Sequence, residues 1–429
     1  MNLCNRGVTR IKRTRGGRIV AHSTNSNKNY RINEDMLKVL RSARGSLTLE
    51  QASLEVTGIP NNDAFISVVN DFVRKGILGH SEQQGGGFEY REDLTEFPLD
   101  LVYFEPTARC NLECIHCFAQ HPGMKNKVPE MTLEEAKEVI DVIDKKGVMD
   151  VCLTGGEIMY HPNALEIMED IRNRGIRFGI LTNGVLFNER RISRIMDLHP
   201  SFIAVSIDSH KEEIHNYIRQ KNSFRYTTRN IKRMAEAGLK PRVNHILFSG
   251  LNDSLKDIRD FMEYVSSLGV DSGSITFDEF CPEGKGSRFF DYSPNEIKTV
   301  SKIREAFRDV FGLEIDNTRS MMPERSFCGV GIDSCCIKSD GAITPCPALY
   351  GGIYDLGNIR ELDSIWKQSA VLNLLRRQEY LNNGKCGNCK SLESCLGGCR
   401  RKALTFGGSL NSHDPWMCAY NGEEDESNI

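Results

Sequence analysis

Apolar residues fall into two rhythms along the middle of this chain. From Leu101 to about Phe311, short apolar runs alternate with longer stretches whose apolar positions recur at helical spacing. Leu101-Val102-Tyr103-Phe104, Val148 to Leu153, Arg177 to Leu181, Phe202 to Ile207, Arg242 to Phe248 and Ser274 to Phe277 read as strands. Leu133 to Lys145, Ala164 to Arg174, Glu189 to Leu198, Thr227 to Ala237 and Leu255 to Leu268 read as the helices between them, and Pro294 to Phe311 follows the last strand. Repeated strand–helix units imply a parallel sheet with right-handed crossovers. Six units predict an α/β fold, a partial (β/α)6 barrel that stops short of eight-fold closure, over residues 96–312.

The ends follow other patterns. Within residues 1–85, Arg18 to His22 and Asn29 to Ile32 read as strands around a polar turn. Met36 to Leu40, the segment capped by Thr48, and Asp63 to Lys75 read as three helices. Strands and three short helices in that order predict a winged helix-turn-helix domain, and Gln83 to Gly87 a flexible linker. Residues 1–20 carry Arg6, Arg10, Lys12, Arg13, Arg15 and Arg18 with no acid. They read either as a solvated, frayed end or as a basic arm. The acidic end, Glu423-Glu424-Asp425-Glu426, reads the same way. In residues 320–429 cysteine, glycine and proline dominate, and only Ile365 to Leu381 looks helical. So little apolar material predicts a domain held together by metal ligation.

Composition narrows the chemistry. The chain has 429 residues, ordinary hydrophobic content and a net charge of −3, so global charge argues for neither nucleic acid nor membrane. No apolar run is long enough to span a bilayer, and no secretory signal is evident. Fifteen cysteines in a long chain of this kind point to metal or redox chemistry in a reducing cytoplasm, not to disulfides.

Three of those cysteines, Cys110, Cys114 and Cys117, sit in one loop after the first barrel strand. Three thiolates on a tight loop can hold three corners of a four-iron cluster and leave the fourth iron open. A parallel barrel carries its active site at this C-terminal mouth. Gly155-Gly156-Glu157 ends the second strand, where glycines admit a close ligand and a carboxylate can take an ammonium group. Near the C-terminus stands a second array, Cys328, Gly341, Cys346, Cys386, Cys389, Cys395, Cys399 and Cys418.

The first loop and Gly155-Gly156-Glu157 resemble the cluster and cofactor elements of the radical S-adenosylmethionine (SAM) superfamily. The second array resembles its SPASM (twitch) extension in every spacing. The resemblance implies SAM and three [4Fe-4S] clusters. Cys110, Cys114 and Cys117 would hold the first. Cys386, Cys389, Cys395 and Cys418 would hold one auxiliary cluster, and Cys328, Cys346 and Cys399 the other. Paired zinc sites are the alternative for the C-terminal set. By the same resemblance, His116 and Phe118 flank the first cluster as cofactor contacts. Glycines 155 and 156 with Glu157 would bind the SAM amino group. Thr182, Asn183, Ser206 and Asp208 would contact ribose or methionine, and Arg219 would pair with the SAM carboxylate. Sulfatase-maturing members carry one more ligand six residues before the first SPASM cysteine. Met322 stands there, which leaves the inner auxiliary cluster an open iron or a ligand from Cys335, Cys336 or Cys281. Cys4 and Cys152 read as plain thiols.

The N-terminal domain resembles precursor-recognition modules that bind a leader peptide as an added strand. A DNA-binding winged helix is its rival. Together these features imply an enzyme, a radical SAM maturase of a ribosomally made (RiPP) peptide. It would form a thioether or, second, a carbon–carbon or carbon–oxygen crosslink, fed by a reductase, flavodoxin or ferredoxin. Two alternatives stay open: radical chemistry on a small molecule or folded protein, and a non-catalytic iron–sulfur redox or DNA-binding protein. The catalytic residue is unknown, although Asp278 and Glu279 end the sixth strand at the mouth.

Overall fold

The computed structural model describes residues 2–421 apart from 6–7, 15–16, 25–27, 76, 82–87, 94, 119–129, 288–294, 313–327 and 383. Met322, the glycine-rich linker and the acidic end lie outside the described residues.

The N-terminal domain comprises β1 (Asn2–Asn5), β2 (Val8–Thr14), β3 (Ile19–Ser23), β4 (Lys28–Ile32), α1 (Glu34–Ser42), β5 (Arg44–Thr48), α2 (Leu49–Thr57), α3 (Asp63–Arg74), β6 (Leu78–Ser81) and β7 (Glu89–Asp93). Its helices begin where side chains accept orphan amide N–H groups. Asn33 accepts from Met36, Thr48 from Gln51 within a capping box, and Asn62 from Phe65. Phe65, Val69 and Phe72 of α3 face Leu3, Ile11, Leu37 and Leu40 in a separate core. One sheet has the order β5-β1-β6 and is antiparallel. The other has the order β4-β3-β2-β7, with β7 parallel to β2. The domain therefore runs through Asp93, past the boundary predicted at residue 85.

The described residues among the first twenty are neither frayed nor a free basic arm. They supply β1 and β2, and Arg10 and Lys12 are each only 2% exposed. Lys12 Nζ lies 3.0 Å from both Asp93 and Asp100, and Arg10 pairs with Asp144 on the barrel. The lack of acids in this segment reflects acids supplied by the next domain.

The barrel comprises β8 (Leu101–Phe104), α4 (Leu133–Lys145), β9 (Asp150–Leu153), α5 (Ala164–Asn173), β10 (Arg177–Thr182), α6 (Glu189–Leu198), β11 (Ile203–Ser206), α7 (Glu212–Arg219), α8 (Phe224–Glu236), β12 (Pro241–Leu247), α9 (Leu255–Ser267), β13 (Ile275–Glu279) and α10 (Glu296–Phe311). Strands β8 to β13 lie parallel and in chain order. Val102, Leu153, Ile180, Val205, Val243 and Phe277 pack on the helix layer. Helix α7 was not foreseen, because its eight residues show too little apolar repeat.

The C-terminal domain departs most from expectation. Strand β14 (Ser334–Ile337) pairs parallel with β8, and β15 (Ala342–Thr344) and β16 (Gly357–Asn358) follow antiparallel, so the barrel sheet continues to nine strands. Ile337, Ile343, Leu362, Trp366, Leu372 and Leu375 belong to the barrel's core. Trp366 Nε1 donates to the Phe97 carbonyl at 2.7 Å, and Arg376 lies over both rings. Each such buried side chain contributes about 1.5–3 kcal/mol, so ligation is not all that holds this domain. The single helix expected over Ile365 to Leu381 is two, Leu362–Gln368 and Ala370–Arg377, because Ser369 caps the second.

Candidate functional site

The loop after β8 carries Cys110, Cys114 and Cys117 at the mouth of the barrel. Its back is stapled to α7: the Ile115 N–H donates to the Ile218 carbonyl at 2.9 Å, and both side chains pack with Phe248 and Phe280. Burial pushes the Cys110 thiol up to about 12, and the charges of Glu157, Cys114 and Cys117 add to this, so the three thiols share one neighbourhood.

Gly155 and Gly156 bring that loop against the end of β9. A Cβ on Gly155 would lie 2.4 Å from the Thr107 carbonyl oxygen, and one on Gly156 2.2 Å from that of Arg109. Gly155 also has φ +121, outside the range of ordinary side chains. The Gly156 and Glu157 N–H groups donate to Thr107 and Arg109 at 2.9 and 2.8 Å. The two glycines thus admit a close approach of the chain's own backbone.

Glu157 is 2% exposed and its carboxylate is already engaged. Oε1 accepts from the Thr182 hydroxyl at 2.7 Å and the Met159 N–H at 3.0 Å, and Oε2 accepts from the Asn183 N–H at 2.7 Å. Burial raises its pKa, against those donors. Glu157 thereby fastens the end of β9 to the end of β10. From β10, Asn183 Nδ2 reaches Asn111 Oδ1 at 2.8 Å and Cys110 Sγ at 3.8 Å.

Asp208 and Arg219 form a buried pair, Nε to Oδ2 2.6 Å, and Arg219 Nη1 lies 3.6 Å from Cys114 Sγ. Burial alone would raise the Asp208 pKa. Arg219, with His116, His215 and His245 around it, outweighs burial and holds it at about 2. Arg219, expected on a SAM carboxylate, thus already has a protein carboxylate and sits on the cluster loop. His116 packs edge-on to Phe248 at 5.6 Å, its pKa lowered by burial to about 4, and its Nδ1 has no partner among the described residues. Ser206 is half-buried at the end of β11. The Phe118 ring lies under Arg401 of the C-terminal domain.

In the C-terminal domain, Cys386, Cys389, Cys395 and Cys418 line one hollow together with Asp414 and Met417. Burial pushes Cys395 up to about 11 and Cys418 up to about 12. Cys346 and Cys399 each feel the charge of Cys328, which gathers the remaining three thiols of the array. Cys335 is buried in the core, and Cys336 Sγ lies 3.6 Å from Glu105 Oε1. Among the described residues no three His, Cys, Asp or Glu side chains converge tightly enough for a single metal ion. All-thiol sets grouped around hollows fit iron–sulfur clusters by donor softness.

Four residues of this region were not singled out in the sequence. Lys402 Nζ lies 2.8 Å from Asp278 and 2.6 Å from Glu279, whose pKa burial raises despite that cation. Arg401, Tyr350 and Asp414 join the cysteine-bearing segments. The run Arg400-Arg401-Lys402 after Cys399 was the available signal, since buried cations demand acids nearby.

Residues 104–265 match the radical SAM superfamily, and residues 328–390 match the SPASM iron–sulfur cluster-binding domain. The antilisterial bacteriocin subtilosin biosynthesis protein AlbA of Bacillus subtilis (strain 168) is 29% identical over 421 residues, covering 91% of this chain and 88% of that protein. An AdoMet-dependent heme synthase of Methanosarcina barkeri (strain Fusaro / DSM 804) is 28% identical over 352 residues, covering 75% of this chain and 96% of the synthase. Streptococcus suis SuiB bound to S-adenosylmethionine superposes with a TM-score of 0.62 at 16% identity, covering 97% of this chain and all of SuiB, which supports the three-part fold. The barrel segment thus matches the radical SAM superfamily, and the segment after it matches a SPASM iron–sulfur cluster-binding domain.

Proposed function

We propose that the protein is a radical SAM maturase of a ribosomally synthesised peptide, working in the reducing cytoplasm. The similarity to the subtilosin biosynthesis protein carries this reading, because it runs through 91% of the chain and so includes the N-terminal domain. SuiB, of the same fold, has been crystallised with its precursor peptide SuiA.

SAM and a first cluster on Cys110, Cys114 and Cys117 would supply a 5′-deoxyadenosyl radical that takes hydrogen from the precursor. The chain's own residues orient that centre. Asn183 and Arg219 set the positions of Cys110 and Cys114, Glu157 locks the ends of β9 and β10, and His116 offers an Nδ1 that has no partner among the described residues. Thr182, Ser206 and Asp208, at the ends of β10 and β11, would contact the ribose or methionine part of SAM. Cys386, Cys389, Cys395 and Cys418 would hold one auxiliary cluster and Cys328, Cys346 and Cys399 another, three in all. These would accept an electron, or hold a substrate thiolate, as the crosslink closes. A thioether is the first choice of bond and a carbon–carbon or carbon–oxygen link the second. The N-terminal domain would bind the leader by strand addition, and a flavodoxin, ferredoxin or reductase would supply the electron.

The test is anaerobic reconstitution with the precursor encoded beside the gene. The expected result is loss of two hydrogens per crosslink, seen by mass spectrometry, with SAM cleavage. An iron-replete enzyme that cleaves SAM yet modifies a porphyrin or other small molecule and no peptide would overturn the reading.

A further inference from the structure

Asp414 is 1% exposed and lies among thiols of both C-terminal sets. Its Oδ2 accepts the Cys399 N–H at 2.7 Å. Its Oδ1 accepts the N–H groups of Trp416 at 3.0 Å and Met417 at 3.3 Å, which caps the short helix Pro415–Tyr420. Its main-chain carbonyl accepts the Cys418 N–H at 3.1 Å. One residue therefore holds the backbone of a cysteine from each set.

We propose that Asp414 is a positioning residue shared by the two auxiliary cluster sites: it fastens Cys399 of the inner site to the helix carrying Cys418 of the outer site and places one negative charge between them. The inference rests on the two-cluster reading of this domain.

Capping alone does not account for the arrangement. A cap needs only the amides two and three residues on, and serine or asparagine would serve. The bond to Cys399 reaches fifteen residues back along the chain. Space for it is made at Gly398, where φ is +70 and a Cβ would lie 2.6 Å from Asp414 Cβ and 2.7 Å from Oδ2. All three donors to the side chain are N–H groups, so it acts only as an acceptor, as a carboxylate does. It lines the cavity with Cys386, Cys389, Cys395 and Cys418. Its charge reaches Cys386, Cys395 and Cys418 on one side and Cys328 and Cys399 on the other. The cations facing the region include Lys385, Arg400, Lys402 and Arg401, the last paired with Glu283. Arg400 is committed to the carbonyls of Leu410, Ser412 and Gly397, and Lys402 to Asp278 and Glu279. A fixed negative charge beside a cluster opposes its gain of an electron and lowers its potential.

The experiment is a redox titration monitored by electron paramagnetic resonance, with iron and sulfide analysis. It uses wild type, Asp414→Asn and Asp414→Ser, each also in a Cys110→Ala, Cys114→Ala, Cys117→Ala background that isolates the C-terminal signals. Asp414→Asn is expected to raise the midpoint potential of both auxiliary clusters and to leave the SAM-responsive cluster unchanged. Asp414→Ser keeps the cap but has neither the charge nor the reach to Cys399, and is expected to raise both potentials or lose both clusters together. Full iron with wild-type potentials in either variant, or a change confined to one auxiliary cluster, would overturn the proposal. A wild-type C-terminal domain that takes up no iron would instead overturn the two-cluster reading beneath it.

Discussion

The Arg401 guanidinium lies 4.9 Å from the centre of the Phe118 ring. Phe118 follows Cys117 of the first loop, and Arg401 is two residues past Cys399, so this contact joins the barrel mouth to the C-terminal domain. It does not act alone. The Tyr350 hydroxyl donates to the Phe118 carbonyl, and the Lys285 N–H donates to the Cys117 carbonyl at 3.1 Å. Arg401 in turn pairs with Glu283, which also accepts from the Thr405 hydroxyl. The first cysteine loop is thus gripped by residues from beyond β13.

Replacing Arg401 tests that grip. A cation over a desolvated ring is worth about 1–2 kcal/mol, and Arg401→Gln also leaves Glu283 without its cation. The variant is expected to lose about 2 kcal/mol of stability and to form less product per SAM cleaved. Arg401→Lys keeps the charge but not the planar fork and should recover only part of the coupling. The ratio of 5′-deoxyadenosine to modified peptide reads the effect, and an unchanged ratio would show that the joint does not guide the chemistry.

Cys110→Ala, Cys114→Ala and Cys117→Ala together should remove about four of roughly twelve irons per chain and all SAM cleavage, since each cubane holds four. The C-terminal signals should persist. Zinc in place of iron in the C-terminal sites after anaerobic purification would defeat the auxiliary-cluster assignment.

The N-terminal domain is docked through buried charge, which changes how its role is best probed. Lys12→Met takes the shared cation from Asp93 and Asp100 and leaves Asp100 with Arg18 alone. Breaking one partner from a buried pair costs about 3–5 kcal/mol. The variant should shed the domain early in limited proteolysis and lose peptide modification before SAM cleavage. Simple truncation at residue 85 is a poorer experiment, because β7 is paired to β2 and would be left as an edge without its sheet.

Acid should loosen the same interface. His22 Nδ1 donates to Asn29 Oδ1, 2.8 Å away, and Asn29 Nδ2 donates to Asp150 of the barrel at 2.9 Å. Burial, with Arg177 and Arg10 nearby, lowers the His22 pKa from 6.5 to about 4. The unfolded chain therefore binds a proton that the folded chain refuses between pH 6.5 and 4. Stability from this group is fully present above pH 6.5 and falls by about 3 kcal/mol as pH drops to 4. Denaturation at a series of pH values should show a shallower fall for His22→Gln than for wild type.

The barrel was legible in the sequence because strand and helix periods alternate cleanly there; α4 and α6 begin and end where the apolar spacing and caps place them. The cysteine arrays were legible because spacing is local. What could not be read was long-range pairing. Arg10 and Lys12 look like a solvated arm until Asp144 and Asp100 are brought to them across the fold. Ser334–Ile337 looks too short and cysteine-rich for a core strand until β8 offers its edge. Glu157, Thr182, Asn183, Asp208 and Arg219 were all named from the sequence, but that they pair with one another could be assigned only once the strand ends met.

The fourth position of the inner auxiliary site decides which bond is formed. Cys328, Cys346 and Cys399 supply three thiols. Cys335 is fixed in the hydrophobic core on the helix side of β14. Cys336 is held on the same strand with its sulfur at Glu105, whose carboxylate is clasped by Lys338 at 3.0 Å. Cys281 Sγ turns to Glu283 at 3.8 Å. None of the three is free to swing without breaking a buried contact, so one iron of this cluster should stay accessible. Thiolates bind such iron readily because softness and charge match. A precursor containing cysteine should therefore perturb the spectrum of this cluster, and its Cys→Ser form should not. Cys281→Ser and Cys336→Ser enzymes should keep their iron and the response. If either variant loses iron from the inner site, that cysteine is the fourth ligand. The cluster is then left with electron transfer alone, and a carbon–carbon or carbon–oxygen crosslink becomes the better reading.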